Sequence, residues 1–376
     1  MSAVTKPKTD EKKLQRIDTI DIIRGYFLFV IIIDHLARFF GFFDLFTGGG
    51  RQWVSAAEGF FFISGMMIGL VRARKLKDKP LSVTTKKIWS RALQLYIWSV
   101  GLTFFFVLVA QFHLLNPGLK EGAFTAEPIS KLISHTLLLR YVYGWADFLV
   151  YYVIYLLFTP LAVYLLRSGK WLLLLATSVF IYLLADNLQL SWQLLFFSGT
   201  IAGYYLPEIE ARAKALSQNK KRFLFGSIFF VGISTLLVSL FFNTFVAIME
   251  THPNWPTLGL NFTQLHNYNT YTLAPWFDKY RLAIGRLSLF YFWFTALYVA
   301  VRRFEPQIKK FVGWFFIPYG QNSLYVYMIH AFIIFFVNLA IPTHVSNYLN
   351  ILINTIVLAI IWVMIKKKVL FSIIPR

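Results

Sequence analysis

Long apolar runs alternate with short polar and basic segments along almost the whole chain. A helix needs about 20 apolar residues to cross a hydrocarbon core of about 30 Å, and the runs have about this length. The pattern therefore predicts an all-α, polytopic membrane bundle. Its ten predicted transmembrane helices cover about residues 20–41, 53–72, 88–111, 145–166, 171–187, 190–206, 222–247, 284–302, 319–340 and 347–366.

The runs divide the chain into a hydrophilic tail at 1–19, one membrane domain at 20–370 and a short tail at 371–376. The first run is long and lacks a small-residue cleavage site, so we expect a retained helix rather than a removed signal peptide. Two connections, at about 112–144 and 248–283, are too long for simple turns. We expect the first to contain an interfacial or re-entrant helix.

Charge supports this interpretation and orients the chain. Only 14% of the 376 residues are charged, whereas a soluble domain carries about a quarter. If the N-terminus is cytoplasmic, 28 of the 37 Lys and Arg fall at the inner ends of the predicted helices, as the positive-inside rule requires. Both termini are then cytoplasmic. The net charge of +20 is therefore attributed to topology and anionic headgroups rather than to nucleic acid.

Some chemistries are excluded by composition. The chain has no cysteine, so disulfides, a thiolate nucleophile and a Cys-based zinc site are ruled out. Its seven histidines show no spacing typical of metal ligands, and we expect no metal site.

The first predicted helix carries Arg24 and His35 inside an otherwise apolar run. A charged side chain at the centre of a membrane helix costs about 2.5–3.5 kcal/mol on insertion scales, so such residues usually face a protein interior or a water-filled path. Eleven residues correspond to three helical turns plus about 20°, which places both side chains on one face, about 16 Å apart along the axis.

His35 is the candidate general base. Glu58, near the start of the second helix, is expected at a similar depth, where a carboxylate could orient the imidazole. Asp34 lies about 100° around the helix and is expected to face Arg38 at i+4. The alternative is a buried ion pair with a structurally satisfied histidine.

Arg24 lies about one turn inside the predicted cytoplasmic face. It could anchor the phosphates of a ligand entering from the cytoplasm. Equally, it could extend to the headgroups and pair with Asp21 at i−3.

The ninth predicted helix carries Asn322, Ser323 and His330. These polar side chains are candidates for cofactor contacts, although Asn and Ser also join helices to one another in membranes. Two Gly-x-x-x-Gly motifs, at Gly65 and Gly199, predict close helix packing.

Several motifs together resemble the OpgC branch of the membrane acyltransferase-3 superfamily. The resemblance extends from about residue 16 to residue 340. It consists of Ile-Asp-x-x-Arg24-Gly25 with Arg24-x10-His35, Ala57-Glu58-Gly59-Phe-x-Phe-Ile-Ser64-Gly65, Trp192-Gln193-x-x-Phe196, Gly285-Arg286-Leu-Ser and Gly320-Gln-Asn-Ser323-Leu-x-Val-x-x-x-His330.

The resemblance implies an O-acyltransferase of the bacterial inner membrane. Such an enzyme takes an acyl group from cytoplasmic acyl-CoA, either succinyl-CoA or acetyl-CoA, and places it on a hydroxyl of an extracytoplasmic glycan. For OpgC itself the reaction is succinyl transfer to osmoregulated periplasmic glucans. Many members of the superfamily carry an extra extracytoplasmic catalytic domain, and we expect none within these 376 residues.

In this interpretation His35 deprotonates the acceptor hydroxyl and Arg24 holds the coenzyme. A transient acyl-histidine is the competing chemistry. Acceptor contacts are expected from residues near the outer ends of the helices. These candidates are Asp34, Arg38, Asp147, Trp192 and Gln193.

Two other classes of function compete with the enzyme. A proton-coupled transporter or glycan flippase would also place His, Asp and Arg inside the membrane, as a proton relay. A structural scaffold is the third hypothesis, and the ionisable groups argue against it. The expected partners are acyl-CoA, the glycan and the lipid bilayer, with self-association left open.

Overall fold

The computed structural model describes residues 17–36, 41–111, 128–252, 254–257, 259–342 and 346–375. Regular structure within these ranges is helical. The α-helices are α1 (Asp18–Leu36), α2 (Asp44–Thr47), α3 (Ala56–Met67), α4 (Leu81–Gln111), α5 (Ile129–Leu137), α6 (Asp147–Arg167), α7 (Trp171–Leu183), α8 (Leu188–Tyr204), α9 (Leu206–Ala215), α10 (Gln218–Leu240), α11 (Ala247–Thr251), α12 (Phe262–Tyr268), α13 (Ile284–Arg303), α14 (Glu305–Phe311), α15 (Gly313–Gln321), α16 (Ser323–Ala340) and α17 (Asn347–Lys366).

Each predicted apolar run overlaps a helix of the structure. Within the described residues, seven helical segments are long and apolar enough to cross a membrane: Ala56–Arg74, Leu81–Ala110, Asp147–Arg167, Gln218–Glu250, Ile284–Arg303, Ser323–Ala340 and Asn347–Lys366. Helix α7 is apolar but has only 13 residues, and α1 has 19 residues with four Asp or Arg among them. A helical membrane protein is therefore supported, while ten spans and two cytoplasmic termini remain predictions.

Two long segments continue past their α-helices in wider turns. The π-helical stretch Ile68–Arg74 extends α3, and Phe241–Val246 joins α10 to α11. The 112–144 connection contains a helix, α5, and its interfacial or re-entrant placement stays a prediction. Residues 112–127 lie outside the described residues.

Helices α3 and α8 approach closely through the two predicted glycine motifs. A Cβ added at Gly65 would collide with the Phe196 carbonyl, and one added at Gly199 would collide with the Phe62 carbonyl. The contact is reciprocal, so each helix lies in the groove that the other's glycines leave open. The predicted packing role of these motifs is confirmed.

Replacing Gly199 with leucine is expected to destabilise the bundle. The side chain has no space against the α3 backbone, and overpacking of this kind typically costs about 1–3 kcal/mol. Gly226→Leu is the matched control, because a Cβ there meets nothing within 4 Å. We expect a lower melting temperature in detergent for Gly199→Leu alone. Equal melting temperatures for the two variants would contradict the packing role.

A second close crossing positions the candidate site. Gly25 of α1 lies against the Phe316 carbonyl of α15, and Gly320 of α15 lies against the Asp21 carbonyl of α1. Helix α15 ends at Gln321 and α16 begins at Ser323, so this crossing places the start of α16 beside α1. Ser323 and His330 of the ninth predicted helix therefore face Arg24 and His35.

Candidate active site

Two histidines from distant parts of the chain meet inside the bundle. Nδ1 of His35 lies 3.1 Å from Nε2 of His330, and the two rings stack with centroids 5.3 Å apart. His330 is fully buried. The sequence identified both residues but predicted His330 as a cofactor contact, and the structure places it against the candidate base instead.

The hydrogen bonds assign the protons on this pair. Nδ1 of His330 contacts the carbonyl oxygen of Tyr327, which can only accept, so that nitrogen carries the proton. In a neutral His330, Nε2 then accepts the hydrogen bond that Nδ1 of His35 donates. The proton of His35 is thereby on Nδ1, which leaves Nε2 as the atom that can accept a proton.

His35 lines a cavity of about 190 Å³ at the end of the bundle where α1 ends and α3, α6 and α8 begin. The charge pattern predicts that this end is the outer one. Asp147 and Lys279 also line the cavity, and most of the remaining surface is aromatic. The aromatic lining includes Phe60, Phe148, Tyr151, Trp192, Tyr280 and Tyr327. The volume is below the roughly 300–1,000 Å³ of sites for drug-sized ligands, which suits one small chemical group.

Glu58 does not orient His35, contrary to the sequence prediction. It is fully buried and forms an ion pair with Arg286 of α13, which is 5% exposed. The same carboxylate accepts hydrogen bonds from the amide nitrogen (3.0 Å) and hydroxyl (2.6 Å) of Ser55 and so caps α3. These contacts occupy Glu58, and the imidazole is held by His330 instead.

Arg24 is held between two helices. One guanidinium nitrogen donates to the Ser323 hydroxyl at the start of α16, and another lies 3.9 Å from the Asp21 carboxylate. The predicted pairing of Arg24 with Asp21 is therefore present, and Ser323 joins it. Asn322 forms the break between α15 and α16, where its amide donates to the Pro318 carbonyl at 2.8 Å.

Arg91 lies close enough to Arg24 to interact with it electrostatically, and Arg72 interacts with Arg91 in the same way. The charges of Arg24 and Arg72 both act on Arg91, and all three act on the hydroxyl of Tyr152 in α6. Sequence reasoning counted Arg72 and Arg91 only as inner-loop charges. In the sequence, Arg91 lies about one turn inside the helix predicted at 88–111, and this was the signal that could have identified it.

Of the five residues predicted to contact the acceptor, two line the cavity, two do not, and one lies outside the described residues. Trp192 and Asp147 line the cavity as expected. The prediction for Gln193 is wrong, because its amide is buried against α7, where it exchanges hydrogen bonds of 2.6 and 2.7 Å with Ser178. Asp34 does not line the cavity and packs against Gly50 of the following turn. Arg38 lies outside the described residues.

These observations define a helical membrane protein with a buried histidine pair beside a cavity and a group of arginines deeper in the bundle. The family model described as OpgC protein matches residues 16–371, and the chain belongs to this family. Membership indicates a modification enzyme of the transferase class. Comparisons with curated proteins and with solved structures found no match.

Proposed function

We propose that the protein transfers an acyl group, preferably succinyl, from cytoplasmic acyl-CoA to a hydroxyl of an extracytoplasmic glucan or related glycan. The observation that supports this most directly is the His35–His330 pair beside the cavity. A base held in one tautomer by a second histidine, at the wall of a mostly apolar cavity, suits proton removal from a hydroxyl.

The chemical step uses His35 as general base. The acceptor hydroxyl oxygen attacks the thioester carbonyl carbon while its proton passes to Nε2 of His35. The carbon–sulfur bond then breaks, and the imidazolium returns the proton to the leaving thiolate. The mostly apolar lining would disfavour water beside the thioester and so slow its hydrolysis.

The arginines are the residues proposed to bind the acyl donor. Arg24 precedes His35 by about 16 Å along α1, toward the predicted cytoplasmic end. Guanidinium groups bind phosphates through paired hydrogen bonds, and acyl-CoA carries several phosphates. Arg24, Arg72 and Arg91 would hold these phosphates while the thioester extends toward the cavity.

Replacing Arg91 with glutamine is expected to weaken CoA binding by about 10- to 100-fold, because a hydrogen bond to a charged group contributes about 1.5–3 kcal/mol. Isothermal titration of the purified protein with CoA measures the effect, and Arg24→Gln should behave similarly. Arg222→Gln, on the exposed start of α10, is the control. Unchanged affinity in both Arg24→Gln and Arg91→Gln would remove the phosphate role.

The overall activity can be tested by mass spectrometry of glycans from cells with and without the gene. We expect an acyl modification that is present only with the gene. A proton-coupled transporter or flippase, the alternative function, would change where the glycan is located but not its mass.

A further inference from the structure

The segment at residues 277–283, which we call the cavity rim, is fixed in place by side chains from three helices. In addition, the ring of Phe277, at the start of the rim, stacks on the ring of Trp53 with centroids 4.1 Å apart. Three side chains donate to rim carbonyls: Arg286 to Phe277 (3.1 Å), Trp192 to Lys279 (2.9 Å) and Tyr182 to Leu282 (2.8 Å).

The rim places one cation at the cavity that contains the candidate base. Lys279 lines this cavity together with His35. Within the described part of the chain, no carboxylate lies within ion-pair distance of its ammonium group, although Asp34 is close enough to interact with it electrostatically.

The other charged residue of the lining already has partners. Asp147 accepts a hydrogen bond from the Phe148 amide (2.6 Å) and a longer one from the Tyr327 hydroxyl (3.4 Å). Lys279 is the cation of this lining and its side chain is exposed, so it is the group available to bind a ligand anion in the cavity.

We infer that Lys279 binds a terminal carboxylate on the acyl group and so selects a dicarboxylic acyl donor over acetyl. This inference rests on the acyl transfer proposed above. It names the residue that recognises the terminal carboxylate of the acyl group. With the thioester carbonyl at His35, a succinyl chain extends its carboxylate two methylene groups further within the same cavity. An acetyl group has no carboxylate for Lys279 to bind.

The test compares two donors on one neutral glucan. Lys279→Met removes the charge and keeps most of the side-chain length, and we expect kcat/KM for succinyl-CoA to fall by about 10- to 100-fold with acetyl-CoA unchanged. Lys279→Arg should restore succinyl transfer in part. Arg281→Met is the matched control, because it removes a cation from the same rim at a position that does not line the cavity.

Each other outcome has a defined consequence. Unchanged succinyl transfer in Lys279→Met would overturn the inference while leaving acyl transfer by the wild-type protein intact. An equal loss with both donors would also overturn it, because the lysine would then act on a step that the two donors share. No transfer by the wild-type protein with either donor would overturn the proposed function itself.

Discussion

Replacing His35 with alanine is expected to lower acyl transfer by about 100- to 10,000-fold, the range that a positioned general base contributes. His35→Gln should have the same effect with less disturbance, because its amide can still donate to His330 but cannot take up the hydroxyl proton. The measurement is the rate of transfer from labelled acyl-CoA to glucan by purified protein.

His135→Ala, on α5, is the control for histidine removal and should retain activity. His330→Gln should cause a smaller loss than His35→Ala, because His330 positions the base and does not take the proton. If His35→Gln remained fully active while binding CoA normally, the assignment of the base would be wrong.

The competing acyl-histidine chemistry makes a separate prediction. Incubation with labelled donor and no glucan would then leave label on the protein, and His35→Gln would abolish that label. Direct transfer leaves the protein unlabelled, which is the result that we expect.

Replacing Glu58 with glutamine is expected to destabilise the protein by about 3–5 kcal/mol, because it leaves the buried Arg286 charge without its counter-charge. Glutamine keeps an oxygen that can accept hydrogen bonds from Ser55, so the cap of α3 is preserved. The variant therefore measures the effect of the lost charge alone. Thermal unfolding in detergent or lipid nanodiscs measures the change.

A double variant and a control distinguish the effect of an unpaired buried charge from the effect of altered packing. The double variant Glu58→Gln with Arg286→Gln removes both charges and should recover much of the stability lost in Glu58→Gln alone. Glu208→Gln is the control. The hydrogen bond from Arg74 lowers the pKa of the Glu208 carboxyl. Both side chains are partly exposed, so this ion pair should contribute less than about 1 kcal/mol to stability. Equal losses in Glu58→Gln and the double variant would contradict the pairing.

The sequence predicted the helices well because their main determinant, apolar length, is local. It also placed Arg24 and His35 on one face of α1, since helical periodicity alone decides that relation. Trp192 and Asp147 were expected near each other because both lie near helix ends on the same predicted side, and both line the cavity. These inferences needed no knowledge of which helices are neighbours.

The partners of the charged groups could not be predicted in the same way. Equal depth made Glu58 a reasonable partner for His35, but several helices share that depth, and rotation about each axis decides which side chains meet. Close packing of α3 on α8 fixes the rotation of α3, and Glu58 meets Arg286, 228 positions away in sequence. His35 and His330 are 295 positions apart, and their contact depends on the crossing of α1 and α15.

Gln193 shows at a single residue that the sequence does not determine which neighbour a side chain contacts. It follows Trp192 directly, and a step of 100° around α8 turns its amide away from the cavity and onto α7. A motif that contains both residues cannot distinguish a ligand contact from a helix contact.

The central claim is that one cavity receives an acyl group from the cytoplasmic side and a glycan hydroxyl from the other side. Proteoliposomes test it directly, with one-sided protein orientation, labelled succinyl-CoA at the cytoplasmic face and glucan at the opposite face. We predict covalent label on the glucan with wild-type protein and almost none with His35→Gln, although CoA binding is unchanged. Equal labelling by both proteins, or glucan that crosses the membrane without gaining label, would contradict this account.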